Sequence, residues 1–193
     1  MNFKLEPVDI LIKINQGEDP YSIVKRWALG NPYEHALMYL GNVGIVVSRR
    51  QHKIIRFPML FESNGQGVVI QSLSNRYGRK VVVLRLKTEH DRRRIPSVLL
   101  QAIELASPGH YYDYLCVVKY AIPRLICEKL GLPMPLAWHR NEFQICSEAV
   151  WEVFYRAGIK LLPSDIVPLP GDFVTDSPLL EEAGRIILSE EVV

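Results

Sequence analysis

The chain of 193 residues predicts a single α+β domain, strands first and helices later, and three observations carry that expectation. Short β-branched, apolar runs divided by turn residues fill the first half, from Val8 to Leu86. After Thr88 the apolar residues recur at helical spacing instead. A composition of 48% hydrophobic and 23% charged residues is that of a globular chain able to bury a core, with no repeat and no low-complexity linker. The expected domain is 1–193, with an acidic, proline-containing C-terminal extension from about residue 160.

Val8 to Ile14 (VDILIKI) reads as a strand, opening after Pro7 and closing at Asn15-Gln16-Gly17. Asp19 to Leu29 reads as a short helix: Asp19 precedes Pro20 at the first helical position, and the stripe Ile23, Val24, Trp27, Ala28 stops at Gly30. Three strands follow as a meander, His35 to Leu40, Gly44 to Ser48 and Ile54 to Phe57, divided at Gly41-Asn42 and at a basic tip bearing Arg49 and Arg50. Met59 to Ser63, Val68 to Gln71 and Lys80 to Leu86 continue the β pattern. Behind Pro96, the residues Val98, Leu99, Ala102, Ile103 and Ala106 mark a first long helix, ended by Pro108-Gly109. Tyr112 to Leu130 reads as a second, bent or divided at Pro123. A third starts near Cys146 with the stripe Ala149, Val150, Val153, Phe154, Ala157 and stops at Gly158.

Charge and cysteine usage narrow the function classes. The net charge of +2 gives no whole-chain argument for nucleic acid, yet Arg49 to Arg94 holds 12 basic and 3 acidic residues and forms one electropositive region. That segment lacks the interleaved aromatics of a stacking platform, so no specific nucleic-acid partner is expected. Cys116, Cys127 and Cys146 are an odd number at no metal-ligand spacing, which argues against a disulfide framework or a structural zinc site. No apolar run reaches the length of a spanning helix, and the N-terminus carries no signal-peptide pattern, so the expected compartment is a reducing cytoplasm.

Cys146 lies in the first turn of its helix, where unsatisfied N–H groups and the helix dipole stabilise a thiolate and can hold an oxyanion. A buried structural cysteine is the commoner meaning of that position. His35 opens the strand HALMYLG, whose alternation sets His35, Leu37 and Tyr39 on one face and Ala36, Met38 and Leu40 on the other. From a strand rim its imidazole could take a thiol proton and return it to a leaving group, although a strand histidine is more often structural or exposed. Glu62 ends the apolar run MLFES, where a carboxylate needs a partner, and orienting an imidazole is one such role. His52, His90, His110 and His139 have weaker contexts, His139 being the nearest rival in sequence to Cys146.

The order His35 in HALMYLGN, Glu62 in FES, the tyrosine-rich YYDYL, and Cys146 in ICSEAVWEVFYRAG resembles the circularly permuted papain-like group of cysteine hydrolases. That group includes YiiX-type NlpC amidases and lecithin:retinol acyltransferase relatives. The opening PVDILIKI resembles its early Pro-Gly-Asp-Ile strand, with Val8 where glycine is usual. The likeness spans roughly residues 7 to 158. It implies a permuted papain-like fold, with an antiparallel sheet or small barrel packed against a helix that bears the cysteine at its N-terminus.

The resemblance also implies a Cys146 nucleophile, a His35 general base and acid, and Glu62 as the third polar member. Tyr112, Asp113 and Tyr114 would line the substrate cleft, the alternative for YYDYL being a helix start packed into the core. The implied activity is a thiol-dependent amidase or peptidase working through an acyl-enzyme, on cell-wall-type peptides, with no metal or organic cofactor. Substrates of that kind lie outside a cytoplasm, so release by lysis or phage-associated delivery would fit. Two other readings stand beside it. One is a lipid acyltransferase or thioesterase on the same fold, with Arg49, Arg50, Lys53, Arg92, Arg93 and Arg94 contacting an anionic surface; the other is a catalytically silent binding or structural module.

Overall fold

Ile10, Leu11 and Ile12 are buried on both sides of the first strand, β1 (Ile10–Ile14), because this strand lies inside a sheet covered on both faces. The computed structural model describes residues 3–17, 23, 30–48, 53–107, 122–133, 145–163 and 167–193. β2 (Tyr33–Ser48), β3 (Lys53–Asn64), β4 (Gly67–Ser72), β5 (Lys80–Leu86) and β6 (Leu180–Ile187) complete an antiparallel sheet of order β4-β3-β2-β1-β5-β6. The helices are α1 (Glu89–Arg92), α2 (Ile95–Leu105), α3 (Ile122–Leu130), α4 (Cys146–Arg156) and α5 (Asp172–Thr175). Among the described residues no helix is long and apolar enough to cross a membrane.

The alternation read from HALMYLG divides the core as expected. Ala36, Met38, Phe61, Val82 and Leu84 pack with Ala102 of α2 and with Ala149, Val150, Val153 and Phe154 of α4. On the opposite face Leu37, Tyr39, Leu60, Val81 and Val83 are covered by Leu5, Leu73 and Leu188. The stretch after Lys160 contributes to both. Leu161, Val167 and Phe173 join the helix side, while β6 pairs along the whole of β5.

Two breaks expected from the sequence are absent. His35 to Leu40 and Gly44 to Ser48 form one 16-residue strand, because Gly41 serves a bulge and not a turn. The register slips between Tyr39 and Gly41, leaving Leu40 unmatched, and Gly41 takes φ +93° with Pro7 Cγ only 3.3 Å from where a Cβ would sit. Ile54 to Phe57 and Met59 to Ser63 likewise merge into β3. β4 reaches back only to Met59, so one edge of Pro58 has no ladder for a proline to break. The helix expected over Asp19 to Leu29 lies outside the described residues apart from Ile23, as do residues 112–121 of the expected second helix; α3 is described from Ile122.

Val8 is a backbone outlier. Its φ of +67° is the left-handed region, which a β-branched residue enters only at a cost, yet its side chain is buried and its N–H donates to the Tyr39 carbonyl at 2.7 Å. The turn is held by the next residue. Asp9 accepts from Glu6 N at 2.8 Å and receives the Arg85 guanidinium through Nε at 2.8 Å and Nη2 at 2.7 Å. Glycine suits this conformation better than any side chain does. Removing the side chain should therefore show an inverted order, with Val8→Gly more stable than Val8→Ala by about 1 kcal/mol. Urea unfolding of the two variants measures it, and alanine being the more stable would contradict the strained backbone.

Candidate active site

Cys146 is the first residue of α4, and the chain approaches it through Ile145 in an extended conformation. Glu148 folds back to accept the Ile145 N–H at 3.4 Å, so the Cys-Ser-Glu step caps its own helix. Ser147 donates its hydroxyl to the Pro168 carbonyl at 2.7 Å. The segment it grips is pinned in turn by Arg124 of α3, whose Nη1 donates to Val167 O at 2.5 Å and to Asp172 Oδ2 at 2.7 Å. Asp172 also accepts the Leu169 N–H at 2.7 Å. These contacts fix where the helix begins. Every residue from Cys146 to Phe154 is buried, so α4 is a central helix and not the one-sided one that its apolar stripe suggested.

His35 arrives from β2 beside an irregularity. Lys13 pairs with His35 but Ile14 pairs with Tyr33, so Glu34 is an unmatched residue, paired with Lys13 in a salt bridge. Bulges of this kind re-aim neighbouring side chains. The His35 ring meets two partners: Nε2 lies 2.7 Å from Glu62 Oε2, and the Cys146 thiol forms a second side-chain hydrogen bond with the ring. Glu62 comes from β3 and is fully buried. The three residues singled out from the sequence are thus brought together as one hydrogen-bonded chain.

A buried carboxylate requires compensation, and Glu62 receives it on both oxygens. While Oε2 faces His35, Oε1 accepts Arg76 Nη2 at 2.5 Å, Asn64 Nδ2 at 3.2 Å and a hydrogen bond from Gln71 Nε2. Asn64 and Gln71 come from the ends of β3 and β4, and Arg76 from the 3-10 turn Leu73–Arg76 that follows. The sequence reading missed this set. Its one signal was an alternation that sets Gln71 diagonally across from Glu62, whose direct partner is Val69.

The electrostatics follow from these contacts. Burial pushes the Glu62 carboxyl up, but His35 and Arg76 outweigh it and hold it below the usual carboxylate value. Burial pushes His35 down, while the Cys146 thiolate and Glu62 carboxylate raise it to about 9. Burial also pushes the Cys146 thiol up; the His35 charge, its hydrogen bond and the backbone N–H groups of Ala36 and Ser147 outweigh it, leaving the thiol below its ordinary value. Both shifts act toward a thiolate beside an imidazolium.

Tyr112, Asp113 and Tyr114 lie outside the described residues, as do His52, His110, His139 and Cys116. His90 is exposed in α1.

No family model and no curated protein matches the sequence. Among solved structures, the chain is similar to the crystal structure of the metalloprotein YiiX from Escherichia coli O157:H7. The identity is 17% and the TM-score 0.59, over 97% of this chain and 100% of that one. A likeness at that identity shows the fold, an α+β arrangement with an open six-stranded antiparallel sheet and few helices. The description as a metalloprotein belongs to YiiX. Among the described residues here no three His, Cys, Asp or Glu side chains group as a metal-ion site, and both Glu62 oxygens are already engaged, so this donor set does not fit a metal.

The ion pair has a pH signature. A depressed thiol pKa keeps the thiolate present as pH falls, and the raised histidine keeps its proton until about pH 9. Alkylation of folded protein by chloroacetamide should concentrate at Cys146 and persist below pH 7, where a free thiol of pKa ~8.5 loses about tenfold in rate per pH unit. His35→Ala should return Cys146 to that ordinary profile. Mass spectrometry of the adducts reads both, and indiscriminate labelling indifferent to His35 would contradict the pairing.

Proposed function

We propose that this chain is a cysteine hydrolase, an amidase or peptidase of the permuted papain-like, NlpC-type kind, working through an acyl-enzyme at Cys146. The observation that carries the reading is the hydrogen-bonded series Cys146–His35–Glu62, with the sulfur at the N-terminus of a buried helix. The similarity in fold to YiiX is consistent with an enzyme.

The thiolate attacks the carbonyl carbon of an amide, forming a C–S bond and placing the carbonyl electron pair on oxygen. N–H groups of the first turn of α4 and its dipole stabilise that oxyanion. The His35 imidazolium gives its proton to the amide nitrogen, the C–N bond breaks, and the amine leaves behind a thioester on Cys146. Water then attacks the thioester while the now neutral His35 takes its proton. The C–S bond breaks, the acid departs, and the thiolate and imidazolium are restored. Glu62, anchored by Arg76, Gln71 and Asn64, orients the ring and favours its charged form at each stage.

Cell-wall-type peptides are the substrate class this reading favours, with Tyr112, Asp113 and Tyr114 as the proposed substrate-binding residues. An activated acyl ester tests the chemistry apart from substrate choice. Wild type should show a burst of leaving group and carry the acyl mass on Cys146, and Cys146→Ala should show neither. Loss of the ring should lower kcat/KM by roughly 10³ in His35→Ala. Glu62→Gln should lower kcat with KM little changed, by roughly 10-fold to 100-fold. Neither burst nor adduct in folded wild type would overturn the proposal, and turnover of the ester without cleavage of any cell-wall-type peptide would overturn the substrate class alone.

A further inference from the structure

β2 and β3 are longer than the sheet that contains them. β1 pairs with β2 only as far as Met38, and β4 pairs with β3 only from Met59 onward. Beyond those points, among the described residues, Val43 to Ser48 and Lys53 to Phe57 pair only with each other, as a two-stranded ribbon rooted at the Leu40 bulge. Isolated ribbons in water normally present polar side chains, because both faces are wet. Here Ile54 is 56% exposed, Val43 41%, Phe57 40% and Ile55 37%. The register sets Val43 opposite Phe57, with Ile55 on the same face and Ile54 and Arg56 on the other. Exposed apolar surface therefore occupies both sides of the ribbon.

The same segment is cationic in sequence, although Arg49 and Arg50 lie outside the described residues. Between Val43 and Phe57 the sequence holds Arg49, Arg50, Lys53 and Arg56 and no acidic residue. Other basic residues of the electropositive region are engaged within the fold, Arg92 donating to Leu86 O at 2.9 Å and Arg94 to Gly158 O at 2.6 Å. A partner for the ribbon must take apolar side chains from both faces and supply negative charge around them. A second copy would bring the same cations to the contact. Nucleic acid would leave the aliphatic residues wet, since Phe57 is the one aromatic in the sequence from Val43 to Phe57 and stacking platforms need several. An anionic lipid surface satisfies both demands, the apolar side chains entering the acyl boundary and the cations meeting head groups.

We propose that the β2–β3 ribbon docks this protein on anionic lipid surfaces. The proposal is independent of the hydrolase reading, because the ribbon contains none of the Cys146, His35 and Glu62 set. Full-length protein is sedimented with vesicles of phosphatidylglycerol and phosphatidylcholine, and with phosphatidylcholine alone. Binding is expected to the mixed vesicles only and to weaken as salt rises. Arg56→Glu, a change of two charges at the surface, should weaken it by about thirtyfold. The double variant Ile55→Ser, Phe57→Ser should lose most of what remains at high salt, with an unchanged thermal midpoint showing that the fold persists. Failure of wild type to bind the mixed vesicles would overturn the proposal, as would binding that survives both sets of substitutions. A ribbon-dependent shift in anisotropy of a labelled DNA duplex without vesicle binding would overturn it in favour of nucleic acid, and a dimer lost with Phe57→Ser in favour of self-association.

Discussion

A carboxylate with no exposed surface is the constraint around which this molecule is arranged. Glu62 in water would need no help; inside the sheet it needs a cation or several hydrogen bonds on each oxygen. Three neighbours on one oxygen and His35 on the other answer that need. In doing so they tie β2, β3, β4 and the following 3-10 turn to a common point. The imidazole is thereby held as a cation in a place where burial alone would discharge it. That cation in turn lowers the pKa of the Cys146 thiol.

The second requirement is that α4 begin at a fixed place. The sulfur gains its anionic character from a neighbouring cation and from backbone N–H groups, and both act over a hydrogen-bond length. Ser147 on Pro168, Arg124 on Asp172 and Val167, and Glu148 on Ile145 set that position from three directions. The site therefore depends on the segment near Asp172, which the chain supplies only after the helix is made.

Much of the site was legible because its chemistry is local. Cys146 stood at a helix start visible from the apolar stripe, and Glu62 was conspicuous as an acid ending an apolar run. His35 belonged to a strand whose alternation divided the two core faces correctly. Less legible was whatever depends on pairing. Gly41 and Pro58 are turn residues by type, and only the register shows a bulge and an edge. β6 reads LEEAGRII, with too little alternation to announce a strand, and is ordered by β5. Gln71 and Arg76 are ordinary polar residues in sequence, and their role exists only because β4 brings them to Glu62. Val8 was conspicuous for standing where the resembled group has glycine, and the left-handed backbone supplies the physical reason.

The protonation of His35 tests the account most directly. In folded protein carrying nitrogen-15 in its histidines, the two ring nitrogens of His35 report whether it is imidazolium or neutral imidazole. At pH 7.5 the ring should be doubly protonated and titrate near 9, and its pKa should fall toward the ordinary value when Cys146→Ala removes the thiolate. A His35 ring that titrates near 6.5 in wild type, and does not respond to loss of the thiol, would contradict it.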